Sequence, residues 1–431
     1  MDNITEEPPV SIAQENQVGS RIETRKRFNL KQTFASLEHP NYKLWFTGQI
    51  ISLFGSWMQT TAQGFFIYEL THSPVFLGYV GFATGIPTWL FMVYAGAIAD
   101  RFPRRTILVI TQTVMMILAF ILAFLTFTHI VQPWHIILLA FLLGVANAFD
   151  APARQAFVNE LVDRKDLINA IALNSTMFHS AAAVGPAVAG ITYAVTGPAW
   201  CFTINGISFL AVIYNLLRMK FDAQLKTQPT KSVSHDLIDG VRYLRKQKTI
   251  LMIMLIVGFV SLLGISLTTL FPAWAVKILH GDATTNGLLQ TARGIGAVIC
   301  SLIIAYSSKY MERGKFLVLG MITMPLLMLL FSLNRSFMFS FLFLVGIGAA
   351  LIAINNLSNG IIQTIVDENF RGRVMAIYSF AFFATMPIGA LLIGLLAQLW
   401  GSPAAILINS ILLLVIFIGI IISSPNLKSI K

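Results

Sequence analysis

The chain has 431 residues, of which 56% are apolar and only 11% charged, and its mean hydropathy is +0.74. A soluble domain cannot hide that much apolar surface, so the composition excludes a water-soluble globular protein and points to the bilayer as solvent. The net charge of +11 would suit a nucleic-acid binder, but the placement of the bases argues otherwise.

Residues 1–42 are polar and of mixed charge, so a cleavable secretory signal is not expected there. Beyond them, apolar runs of at least the ~20 residues that a span requires recur along the chain. They cover 43–68, 76–99, 105–128, 134–158, 167–196, 198–218, 250–278, 287–308, 315–333, 336–365, 370–398 and 403–424. With the N-terminus placed in the cytoplasm, 27 of the 30 Lys and Arg residues fall on the cytoplasmic side or at its border. Lys277 and Arg335 fall outside, and Arg293 lies within a span. This positive-inside bias predicts a multi-pass inner-membrane protein with both termini cytoplasmic, and it assigns the basic surplus to topology rather than to nucleic acid. Cys201 and Cys300 stand singly in apolar runs, so neither a disulfide nor a metal site is expected, and no cofactor motif is present.

The expected organisation is a tail (1–42), a six-helix bundle (43–218), a linker (219–249), a second six-helix bundle (250–424) and a C-terminal tail (425–431). In the linker, DLIDGVRYLRKQKT carries Leu237, Val241 and Leu244 at helical spacing, which predicts an interfacial helix. The two bundles read as copies. At an offset of 209, Gly55, Gly78 and Gly85 meet Gly264, Gly287 and Gly294. At an offset of 204, Gly185, Gly190, Gly197 and Asn205 meet Gly389, Gly394, Gly401 and Asn409. Six spans per copy keep both in one membrane orientation, a parallel repeat of the kind that rocks around a central site.

Polar residues within spans are the candidate functional groups. In span one, Gln49, Ser52, Ser56, Gln59 and Gln63 form one helical face; in span ten, Asn356, Asn359 and Gln363 do the same. Such stripes line a substrate path or glue helices together. Glu69 is either an outer proton acceptor or a solvated acid. Asp150 and Arg154 stand at i,i+4 in span four and form either a gate or proton path, or a static pair. His179 is a lone histidine in span five, a packing residue or a proton relay. Gly185-Pro186 is a candidate helix bend. Arg293 in span eight must find an acid, a carbonyl or an anionic ligand. Trp57, Trp89 and Trp274 are candidate aromatic contacts.

Between spans two and three the chain reads GAIADRFPRRT (96–106). This stretch resembles the loop 2–3 motif of the major facilitator superfamily, with Gly96, Asp100, Arg101, Arg104 and Arg105 matching and Pro103 in place of the usual glycine. ELTHSPVFLG (69–78), DAPARQAFVNELV (150–162), NAIALNS (169–175), GPAVAG (185–190) and RGRVMAIYS (371–379) narrow the resemblance to the enterobactin-exporter-like branch, the transmembrane secretion effectors. The resemblance implies an all-α membrane protein of twelve transmembrane helices in two six-helix bundles. It also implies that Asp100 acts as a conformational latch against span eleven, stabilising the outward-facing state.

The seven histidines are scattered, no nucleophile–base constellation is visible and there is no phosphate-binding Gly-x-x-x-x-Gly-Lys-Ser/Thr loop. An enzyme and an ATP-driven pump are therefore not expected. The expectation is a monomeric secondary active exporter of a small molecule, a siderophore or drug-like compound, working by alternating access as a proton antiporter. Uptake by the same fold is the alternative.

Overall fold

The computed structural model describes residues 34–220, 242–244, 247–307, 311–424 and 427. The N-terminal tail up to residue 33 and residues 236–241 and 245–246 of the expected interfacial helix lie outside the described residues.

After a short 3₁₀ turn (Ala35–Glu38), the first half runs through α1 (Pro40–Thr71), α2 (Pro74–Arg101), α3 (Arg104–Phe127), α4 (Pro133–Leu161), α5 (Leu167–Thr196) and α6 (Pro198–Arg218). The second half has α7 (Lys248–Lys277), α8 (Ala283–Ser307), α9 (Arg313–Leu333) and α10 (Phe337–Ile365). The final helical stretch, Arg371–Ser423, is broken at Gly401 into α11 (371–400) and α12 (402–423). Each of the twelve expected spans is thus occupied by helix. Ten helical stretches among the described residues, with α11 and α12 taken as one, are long and apolar enough to cross a membrane. The 32-residue α1 is not among them, because its polar stripe dilutes its hydropathy.

Local sequence explains where helices begin and end. Prolines open α1, α2, α4 and α6, where a missing N–H costs nothing and φ is already helical. Two glycines join helices at equivalent places in the repeat. Gly197, between α5 and α6, has φ 87° and ψ 171°, and Gly401 has φ 83° and ψ 157°. That region of backbone space is open to glycine and costs other residues about 1–3 kcal/mol. Alanine at either position is therefore expected to destabilise the protein by about that amount, with roughly additive losses in the double variant. Thermal unfolding in detergent measures this, and unchanged midpoints would contradict it.

Two of the four segments of α7 depart from simple α-winding. An α-helix (Lys248–Phe259) passes through a π segment (Val260–Gly264) and a 3₁₀ segment (Ile265–Leu270) before α-helix resumes at Phe271–Lys277. The α11 backbone lies against the π segment, because Gly389 lets it meet the Leu262 carbonyl. Beside it, Trp274 is fully buried and stacks on Phe331 at 4.4 Å.

The two halves meet along two seams that are copies of one another. In one, Gly78 of α2 packs on Gly394 of α11, and Gly85 on Pro387. In the other, Gly287 of α8 packs on Gly190 of α5, and Gly294 on Ala183. The repeat offsets convert each contact into its counterpart. Small residues let helix backbones approach closely, where dispersion rather than hydrophobicity drives association in lipid.

Candidate functional site

A cavity of about 700 Å³ lies between the halves, lined by α1, α2, α4 and α5 on one side and α7, α8, α10 and α11 on the other. Its closure is uneven. One face of the protein carries the start of α1 and the α2–α3 and α8–α9 connections, where the bases cluster, and is called here the basic face. The seams close the opposite, far face: Gly78 and Gly394 lie near helix ends there, and the Ser73 hydroxyl donates to Gln398 Oε1 at 2.7 Å. Deeper in, Thr61 of α1 donates to Gln290 Oε1 of α8 at 3.4 Å. Toward the basic face, Gly96, Gly360 and Gly372 have open space where a side chain would stand.

The α1 stripe divides along its length. Gln63 lines the cavity, with Thr60 and Trp57 beside it. Gln49, Ser52, Ser56 and Gln59, expected at the cavity, are not among its lining residues. Gln59 accepts a hydrogen bond from Asn205 Nδ2 of α6 at 2.6 Å, and Gly55 sits against Asn205 and Ser208. This part of the stripe holds α1 to α6, and Asn409 of α12 likewise donates to Ser266 of α7 at 3.3 Å. On the other side, Asn356 and Asn359 of α10 line the cavity as expected from their spacing, while Gln363 donates to Asn359 one turn further on. Arg293 and His179 line it too. Of the three candidate tryptophans, only Trp57 does, edge-on to Phe178 at 5.8 Å.

Asp150 and Arg154 are absent from the lining. Asp150 is 1% exposed and accepts from Thr111 Oγ1 at 3.0 Å and Gln112 Nε2 at 2.9 Å, both on α3; Arg154 Nε lies 3.4 Å away. The carboxylate thereby ties α4 to α3 inside the first half. Glu69 is exposed at the far end of α1 and accepts the Tyr193 hydroxyl of α5. Gly185-Pro186 lies within an unbroken α5, with Gly185 against Trp57 and the Pro186 carbonyl against Gly287.

In the 96–106 loop, Arg104 and Arg105 behave differently from Asp100 and Arg101. Arg104 pairs with Glu160 at the end of α4, and Arg105 Nη2 donates to the Leu217 carbonyl at the end of α6 at 2.8 Å. A cation there satisfies a carbonyl that the helix end leaves unpaired. Asp100 and Arg101 are exposed and have no hydrogen-bond or ion-pair partner among the described residues.

Several lining residues carried no sequence signal of their own: Gln290, Asn355, Tyr378 and Phe178. Gln290 stands three residues before Arg293, and Asn355 adjoins Asn356, so each is a neighbour of a residue that the polar patterning had marked.

The model of the transmembrane secretion effector family matches residues 31–431, which is nearly the whole chain. The chain belongs to this family of the major facilitator superfamily. It is 27% identical over 369 residues to the staphyloferrin A transporter of Staphylococcus aureus (strain NCTC 8325 / PS 47), covering 83% of this chain and 90% of that protein. It is 24% identical to the enterobactin exporter EntS of Citrobacter koseri, over 83% of this chain and 85% of the relative. Among solved structures, the nucleoside transporter NupG superposes with a TM-score of 0.68 at 14% identity, covering 88% of this chain and 98% of NupG; this likeness concerns the fold. The protein is a multi-pass membrane transporter of the major facilitator type and not an enzyme.

Proposed function

We propose that the protein exports a small molecule, a siderophore or drug-like compound, across the inner membrane by alternating access, driven by proton antiport. The observation that carries this reading is the cavity walled by both halves and closed at the far face by the two glycine seams and the Ser73–Gln398 hydrogen bond. With the basic face in the cytoplasm, this is the state in which an exporter loads. Siderophore relatives, one of them named as an exporter, support the cargo class and the direction.

In this reading the loop 2–3 motif works in the opposite state. When the basic face closes, Asp100 meets the start of α11, and Arg104 and Arg105 stay anchored to α4 and α6. Asp100 has no partner among the described residues of this far-sealed structure, as such a latch requires. The Asp100→Asn variant, reconstituted in vesicles, is expected to shift the population toward the basic-face-open state and to slow turnover several-fold. Coupling free energies between such states are typically about 1–3 kcal/mol. Wild-type turnover with an unchanged balance of states would remove the latch. Glu69, hydrogen-bonded to Tyr193 near the far face, is the outer proton acceptor in this scheme.

Direction is tested by comparing the medium of a deletion strain and its parent under iron limitation and repletion. Export predicts a compound missing from the deletion strain's medium. A compound that instead stays unconsumed in that medium would establish uptake.

A further inference from the structure

The lining of the cavity contains amides, hydroxyls and rings, but among formal charges it holds one guanidinium and no Asp or Glu. That guanidinium belongs to Arg293. Its Nε is buried without a hydrogen-bond partner, and the side chain has no ion pair or hydrogen bond among the described residues. Arginine stays protonated in proteins, so this charge cannot be relieved by losing a proton. A cation held at membrane depth with no counter-charge marks a functional site, and the missing partner is the clue to what fills it.

The backbone around Arg293 is fixed from two sides. Gly348 of α10 packs on the Arg293 carbonyl, and the adjacent Gly294 packs on Ala183 of α5. The residue therefore sits where α5, α8 and α10 converge, with little freedom to carry its charge away. Around the same cavity, Gln63, Gln290 and Asn355 offer neutral polar groups, and Trp57 and Phe178 offer an apolar wall.

We propose that the transported molecule is an organic anion whose carboxylate docks on Arg293, with its apolar body against Trp57 and Phe178. The planar fork of a guanidinium suits a carboxylate in a two-bond arrangement. A cationic cargo would find no acid in the lining and would be repelled by Arg293. The proposal rests on the reading of this cavity as the transport site and names the chemistry of its cargo.

The test follows the distribution of small molecules between cells and medium in strains carrying the wild-type protein, Arg293→Gln, Arg293→Lys or no transporter. The probe is the pool of solutes itself, separated on a strong anion exchanger at pH 7 and identified by mass. Membrane abundance and thermal unfolding of each variant establish that it is folded. The expected result is a protein-dependent compound that binds the exchanger. Its transport should fall tenfold or more in Arg293→Gln and be retained in part by Arg293→Lys. A protein-dependent compound that is neutral or cationic, no such compound at all, or undiminished transport by Arg293→Gln would overturn the assignment. Should both variants be absent from the membrane, the charge of the compound moved by the wild type decides. An anion moving inward would overturn the export reading alone.

Discussion

Replacing Gly394 with leucine is expected to hold the far face apart and to cut turnover at least tenfold. A Cβ at this position would stand 2.9 Å from the Gly78 Cα and 3.0 Å from the Pro74 carbonyl oxygen. Both are backbone atoms, so neither can swing aside as a side-chain tip would. Overpacking of a tight contact costs about 1–3 kcal/mol. Since about 1.4 kcal/mol is a factor of ten in an equilibrium, the far-sealed state would lose between about fivefold and 150-fold in relative population. The measurement uses a cysteine at Thr60, which lines the cavity, in a background where Cys201 and Cys300 are serine. A membrane-impermeant maleimide applied at the far side should label this site much faster in Gly394→Leu than in the parent. Gly419→Leu is the control, because Gly419 is exposed and has open space around it. Equal labelling and equal turnover in Gly394→Leu would show that this seam does not gate the cavity.

Asp150→Ala should produce the largest loss of stability. The carboxylate is 1% exposed and serves as acceptor for Thr111 and Gln112, with the Arg154 guanidinium beside it. Its removal leaves a charge and two donors uncompensated, and breaking a buried pair in this way costs about 3–5 kcal/mol. Asparagine keeps an acceptor for Thr111 and Gln112, so Asp150→Asn should lose less. Thermal unfolding gives the ranking. Transport per folded molecule separates the two roles that the sequence left open. A tie between α3 and α4 predicts turnover near wild type in Asp150→Asn, with reduced stability. A place in the proton path predicts lost proton coupling with stability nearly intact.

The parts of the fold that sequence revealed are those governed by local or repeated chemistry. Span length follows from bilayer thickness, and the glycine pairs 197/401 and 190/394 survive in both copies because each makes the same backbone demand twice. The α1 stripe shows the limit. Helical periodicity places Gln49, Ser52, Ser56, Gln59 and Gln63 on one face, but not which neighbour that face meets. As α1 crosses the bundle, the neighbour changes from α6 to open cavity, and only Gln63 reaches the latter. For Asp150 the i,i+4 partner was readable, whereas Thr111 and Gln112 approach from another helix and leave no trace in local spacing. Arg293 was legible because a lone base in an apolar span demands explanation whatever surrounds it.

The polar seam of α1 has a consequence for how the protein is made. Of α1 to α12, the one synthesised first is the one whose own hydropathy falls short, and the partners for its polar face, Asn205 and Ser208, lie far downstream on α6. Until α6 is synthesised, α1 must either remain beside the insertion machinery or carry its amides into lipid unpaired. Its early orientation then depends on the bases at either end of the α1–α2 pair, Lys43 and those preceding α1 together with Arg101, Arg104 and Arg105 after the more apolar α2, since bases near a span's end set which way it faces. The expected consequence is a delayed assembly, in which α1 becomes a stable resident of the membrane only when α6 arrives.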